Sequence, residues 1–134
     1  MSKPFIVLLM IFCHIIDDYR LQGLLGDLKQ KKWWTKLFDK ENIDEEKRKK
    51  YSHDYIAALI MHSLSWSFMI MLPIAYYFSF KPPVAFFVIY TANTVIHAVV
   101  DDLKANRFKI NLITDQAIHM IQIGITAYIF LWLI

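Results

Sequence analysis

The sequence predicts an all-α fold: an integral membrane four-helix bundle with a charged cytoplasmic loop between its first and second helices. Three observations predict it. Of the 134 residues, 57% are hydrophobic and 16% aromatic, a richer mix than a water-facing domain carries. Charge is segregated, because residues 29–50 (KQKKWWTKLFDKENIDEEKRKK) hold nine of the fifteen Lys and Arg. Apolar segments recur at roughly the length that crosses a bilayer, over about 4–25, 56–80, 84–101 and 114–134.

The first segment, from Pro4, is the shortest, since Asp17 interrupts it. It has the look of a signal-peptide core, but DDYRLQ lacks small residues for cleavage, so it is expected to be retained. The second, Ile56 to Phe80, carries His62 and no other ionisable group before its terminal tyrosines. The third closes on Asp101 and the fourth opens near Asp115. Helices are the expected element, because backbone groups in hydrocarbon must be satisfied within the segment. SFKPP at 79–83 and KANRFKIN at 104–111 are the predicted breaks. The stretch at about 28–52 is predicted as a loop, its Trp33 and Trp34 dipping back to the interface and its charged second half solvated. The chain reads as a single transmembrane domain over 1–134, without internal repeats.

Orientation follows from the cations. Thirteen of the fifteen Lys and Arg follow the first or third segment, and only Lys3 and Lys81 fall on the other side. The basic side is therefore predicted to be cytoplasmic and both termini non-cytoplasmic. The net charge of +3 is then loop charge facing an anionic leaflet, and no nucleic-acid partner is expected. Cys13 is the one cysteine, which excludes an intrachain disulfide and a thiolate-rich zinc site.

Ionisable residues gather at one end of the predicted spans. His14 and Asp18 are four apart, as are His97 and Asp101, and Asp115 and His119, and each such pair shares a helix face. His62 lies about two turns into the second segment. Two helices run each way, yet all seven residues fall in the cytoplasmic leaflet. Charged groups at that depth are costly and mark function. Four imidazoles and three carboxylates without thiolates suit a divalent metal: zinc first, with iron or manganese as alternatives. The predicted ligands are His14, His62, His97, Asp101, Asp115 and His119, with Asp18 as general base. Seven such groups exceed what one metal needs; the excess either orients the ligands or holds a second ion.

In combination the motifs resemble a bacterial and phage membrane family described as domain of unknown function 3307. The matching residues are His14, Asp18, Tyr19, Leu21 and Gln22; then His62; then His97, Asp101 and Lys104; then Asp115, Gln116 and His119, with Tyr19 where the family pattern has Phe. The resemblance covers the chain outside residues 30–50 and implies a multi-pass protein of the bacterial inner (cytoplasmic) membrane. It also brings in Gln22, Gln116 and Lys104. Gln22 is expected to hydrogen-bond Asp18, and Gln116 to steady a ligand or polarise a substrate carbonyl in a catalytic role. Lys104 is expected either to bind an anionic headgroup or to snorkel. Asp17 and Asp102 are expected to be solvated, His53 and Asp54 to lie in the loop, and Cys13 to pack. The site logic is similar to membrane-bound metal-dependent hydrolases of the ceramidase-like group.

The leading expectation is a membrane-embedded metal-dependent hydrolase acting on a lipid, a lipid-linked phosphoester or a small amphipathic substrate. The alternatives are a small metal-ion or proton transporter or channel, and a metal-stapled structural or regulatory membrane protein. Short spans also make a homodimer an expected partner.

Overall fold

The computed structural model describes residues 2–134. Among the described residues the chain is helical throughout, with no strand. Helix α1 (Lys3–Ile16) passes into a π-helical turn, Asp17–Leu21, and then into α2 (Gly23–Leu28). Helices α3 (Lys31–Lys40) and α4 (Glu45–Lys50) precede the long α5 (Asp54–Tyr77) and α6 (Ala85–Ala105). Helix α7 (Leu112–Tyr128) finishes in a second π-helical turn, Ile129–Leu133.

Local chemistry explains the boundaries. Pro4 sits in the first turn of α1, where an amide hydrogen is not needed. Asp44 caps α4 by accepting from the Lys47 amide at 2.9 Å, and that bond holds its carboxyl below the usual carboxylate range. Asn111 caps α7 by accepting from the Thr114 amide at 2.9 Å. The expected break at 79–83 is made by Ser79 and Phe80 in left-handed backbone, at φ 53° and 59°, ahead of Pro82 and Pro83. The break at 104–111 contains Phe108 at φ 53°.

Three stretches are long and apolar enough to cross a membrane: Glu45–Tyr77 (33 residues), Ala85–Ala105 (21 residues) and Leu112–Leu133 (22 residues). The first predicted segment is not one of them. Its α-helical part ends at Ile16, and Gly23 at φ 43° bends the chain before α2, a backbone geometry that a residue with a Cβ resists. The predicted loop at 28–52 also differs, because most of it is helical. Phe38 is buried, the Trp34 indole N–H donates to the Leu28 carbonyl at 2.7 Å, and Arg48 reaches both Asp39 at 2.7 Å and the Phe38 ring. An amphipathic α3 thus hides a few aromatic residues inside a charged sequence.

Helices α1 and α6 each pack on both α5 and α7, so the four close into a ring. At one end of the ring, Ile6, Met10, Ile70, Met71, Ile74, Ile123, Phe130 and Leu131 interlock as a dry apolar core. The outward faces are apolar too: Leu8, Phe12, Phe68, Phe87, Val88 and Ile121 are among the exposed residues. At the other end, the interior is where the polar side chains are.

Candidate metal centre

The four helices bring their histidines to one level. His14 comes from the end of α1, His62 from the first half of α5, His97 from the last half of α6 and His119 from the first half of α7; all are fully buried. Asp17 and Asp18 enter from the π-helical turn, Asp101 from α6 and Asp115 from α7, and all four are buried. A π turn carries an extra residue, which here keeps two consecutive aspartates on the inner side.

Distances define the centre. His62 Nε2 lies 3.2 Å from His97 Nε2, 3.5 Å from Asp18 Oδ1 and 3.4 Å from Asp101 Oδ2. His97 Nε2 lies 4.0 Å from Asp18 Oδ1 and 3.7 Å from Asp101 Oδ2. His119 Nε2 lies 3.6 Å from Asp101 Oδ1 and 3.5 Å from Asp115 Oδ1. Metal–ligand bonds of about 2.0–2.2 Å put neighbouring donor atoms about 3.0–3.6 Å apart, close to these separations. Asp18, His62 and His97 form one group that can hold a metal ion, and His97, Asp101 and His119 form another, each with donor atoms within 4.8 Å of one another.

A surrounding layer of side chains orients the centre. The Trp66 indole N–H donates to His14 Nδ1 at 2.7 Å, and the other His14 nitrogen pairs with Gln116 Oε1 at 3.0 Å. The Gln116 amide then donates to Asp115 Oδ2 at 3.0 Å and Asp18 Oδ2 at 3.3 Å. His119 Nδ1 pairs with Gln122 Oε1 at 3.1 Å, which turns Nε2 toward the Asp101 and Asp115 carboxylates. His97 is sandwiched between Trp66 and His119, each stacked at 4.2 Å between ring centroids. Five atoms of these groups are buried without a hydrogen-bond partner: Asp17 Oδ2, His62 Nδ1, His97 Nδ1, Asp115 Oδ1 and His119 Nε2. Orphaned polar atoms at this density are unusual in a folded interior.

Two ammonium groups close the mouth. Lys29 Nζ donates to Asp101 Oδ2 at 2.5 Å and to Gln22 Oε1 at 3.0 Å, and the lysine is only 6% exposed. Lys104 Nζ donates to Asp115 Oδ2 at 2.6 Å. Between them lies a small cavity of about 80 Å³, lined by Asp18, Tyr19, Gln22, Lys29, Lys104 and Gln116, among others. It reaches the centre at Asp18.

Several expected roles change. His14, expected as a ligand, has protein partners at both nitrogens, Trp66 and Gln116, and lies outside the two donor groups at metal-ligand spacing. Asp18 was expected to be free as a base, and its Oδ1 instead faces the two imidazoles that form a ligand group with it. Gln116 has its oxygen and amide hydrogens engaged by His14, Asp18 and Asp115, which fits positioning better than polarising a substrate. Gln22 reaches the Asp18 backbone carbonyl, not the carboxylate. Lys104 does not snorkel, because Asp115 holds it. Asp17 is not solvated: it is 1% exposed and accepts from Ser65 Oγ at 2.7 Å, because the π turn aims it at α5. Asp102 is paired with Arg107 at 2.6 Å. His53 is exposed, away from the centre, and bonded to Ser52.

Lys29, Trp66, Ser65 and Gln122 are the residues that sequence reasoning missed. Trp66 and Ser65 lie four and three residues after His62, and Gln122 three after His119, so helical spacing carried the signal for them. Lys29 had no such signal. It is one of nine cations in its stretch, and only the packing of helices distant in sequence sets it against Asp101.

No family model, curated protein or solved structure matches this chain.

Proposed function

We propose that this chain is a membrane-embedded metal-dependent hydrolase whose centre opens to the cytoplasmic leaflet. The observation that carries the reading is the convergence of His62, His97, Asp18 and Asp101 from three helices, with donor atoms at metal-ligand spacing, beneath a cavity edged by two lysines. His62, His97, Asp18 and Asp101 would hold a divalent ion, zinc by the nitrogen and oxygen donor set, and such an ion would supply Lewis-acid activation of water near neutral pH. That chemistry would suit hydrolysis of a phosphoester or carboxylic ester, with a neighbouring carboxylate such as Asp115 placed to take up the proton of the water and return it to the leaving oxygen. Lys29 and Lys104 suit an anionic group at the mouth, and the small cavity suits a headgroup more than a bulky substrate. A lipid or lipid-linked phosphoester is therefore the substrate class, reached laterally from the bilayer.

The membrane reading rests on the three long apolar stretches, the apolar outer faces and the segregated cations. In it, α1 with its π turn completes a four-helix membrane bundle as a short fourth span, and both termini face away from the cytoplasm. The likeness of its motifs to domain of unknown function 3307 supports the same reading and an inner-membrane location in bacteria. A transporter is the weaker reading, because the buried polar groups that run from His119 through Gln122 and Asn93 to Thr126 end against the apolar core of Ile6, Met10, Ile70, Ile74 and Phe130.

The test is metal content and hydrolysis measured together on the detergent-purified full chain, in wild type and His62→Ala. The expected outcome is near-stoichiometric metal and hydrolysis of phosphoester lipids in wild type, both reduced to background in the variant at unchanged helicity. Absence of metal after preparation without chelators and reconstitution with zinc, iron or manganese would sink the proposal. Metal that stays bound while no ester or phosphoester is cleaved would turn it toward a structural staple.

A further inference from the structure

We propose that the centre is dinuclear, with Asp101 as the bridging carboxylate. This rests on the metal-centre reading above and extends it. A first ion takes His62 Nε2, His97 Nε2, Asp18 Oδ1 and Asp101 Oδ2. A second takes His119 Nε2, Asp115 Oδ1 and Asp101 Oδ1.

Four observations lead there. The two oxygens of Asp101 face different partners. Oδ2 lies 3.4 Å from His62 Nε2 and 3.7 Å from His97 Nε2, while Oδ1 lies 3.6 Å from His119 Nε2. A carboxylate with one oxygen toward each of two imidazole groups is in bridging position, and paired ions in such centres sit about 3.5–4 Å apart.

The atoms of the second set face one another without forming a hydrogen bond. His119 Nε2 and Asp115 Oδ1 are 3.5 Å apart, both buried, and both without a hydrogen-bond partner. The His119 Nδ1 contact to Gln122 Oε1 orients the ring so that Nε2 points at Asp101 and Asp115. An imidazole nitrogen and two carboxylate oxygens aimed at one another in a dry interior call for a positive charge between them, a proton or a metal ion.

The bonds of Asp115 are divided the same way. Lys104 and Gln116 both take Oδ2, at 2.6 and 3.0 Å, and leave Oδ1 toward His119.

Formal charge agrees. Asp17, Asp18, Asp101 and Asp115 face only Lys29 and Lys104, an excess of two negative charges with neutral imidazoles. One divalent ion cancels that excess. A second would leave the centre positive and so favour an anionic ligand.

The experiment is metal titration of the full chain in detergent, read by elemental analysis and by electron paramagnetic resonance of the manganese-loaded protein. Wild type is expected to saturate at two ions per chain with an exchange-coupled manganese spectrum. His119→Ala and the near-isosteric Asp115→Asn are expected to saturate at one, with the uncoupled spectrum of an isolated ion. Gln122→Leu, which frees the His119 ring without removing a ligand, is expected to weaken the second ion by about 10- to 100-fold. Saturation of wild type at one ion, or two ions retained in both ligand variants, overturns the dinuclear assignment. If one ion binds and hydrolysis persists, that assignment fails while the hydrolase reading stands; if none binds, both fail. Helicity measured on each variant separates loss of a site from loss of the fold, and the wild-type spectrum decides the matter even if every variant unfolds.

Discussion

The two ends of the helix ring are built from the same four helices, yet they are opposites. The far end is Ile6, Met10, Ile70, Met71, Ile74, Ile123, Phe130 and Leu131, fully packed and without polar atoms in its side chains beyond a thioether. The near end is four histidines and four aspartates, just as dry, with five of their atoms unpartnered. Burial is equal, and chemistry is reversed. Packing at the far end stabilises the fold through dispersion and close fit. The near end costs stability until cations compensate it. The difference teaches that this chain separates the work along the helix axis: one half holds the helices together, and the other holds a charge arrangement that the first half makes tolerable.

That division can be broken at the one residue common to both ends. Trp66 belongs to the apolar core, stacks on His97 and donates to His14. Trp66→Ala is expected to destabilise the fold by about 3–5 kcal/mol and to weaken metal binding as well, since both layers lose a wall. Unfolding by denaturant and metal titration on the same sample check this. Unchanged metal affinity in the folded variant would separate the two layers completely.

A second change touches only the near end. Lys29→Met leaves Asp101 buried with one cation fewer, at an expected cost of about 3 kcal/mol in metal-free protein. Added zinc should recover most of that loss, because an ion on Asp101 Oδ2 replaces the ammonium. Equal loss with and without metal, measured by thermal unfolding, would argue that Lys29 is purely structural.

The smallest effect sharpens the contrast from the other side. Ile123→Val removes one methylene from the far core and is expected to cost about 1 kcal/mol. Metal stoichiometry should not change. A drop in metal content there would show that the two ends are mechanically coupled.

Much of this was legible in the sequence. Four-residue spacing put His97 with Asp101 and Asp115 with His119 on shared faces, and charge segregation put the pairs at one end. What spacing could not supply was the extra residue of the π turn, which brought Asp17 inward, or the packing of helices distant in sequence, which set Lys29 against Asp101. The helical order within 28–52 was hidden for a related reason. Its few apolar residues, Trp34 and Phe38 among them, gain their partners only when α3 folds back on itself and its neighbours.

By itself, the sequence determined that the chain is helical, that apolar stretches over about 56–80, 84–101 and 114–134 recur at membrane-crossing length, and that its histidines and aspartates collect at one end; the fourth predicted span, 4–25, is not among the helices long and apolar enough to cross. Those properties follow from composition and period, which act along a single helix. Only the tertiary structure decided which nitrogen faces which carboxylate. It placed His14 among protein partners and not in a ligand group, and it set the two oxygens of Asp101 toward different imidazoles. A coordination geometry depends on distances of a few tenths of an ångström between helices, and those are fixed by how the helices pack.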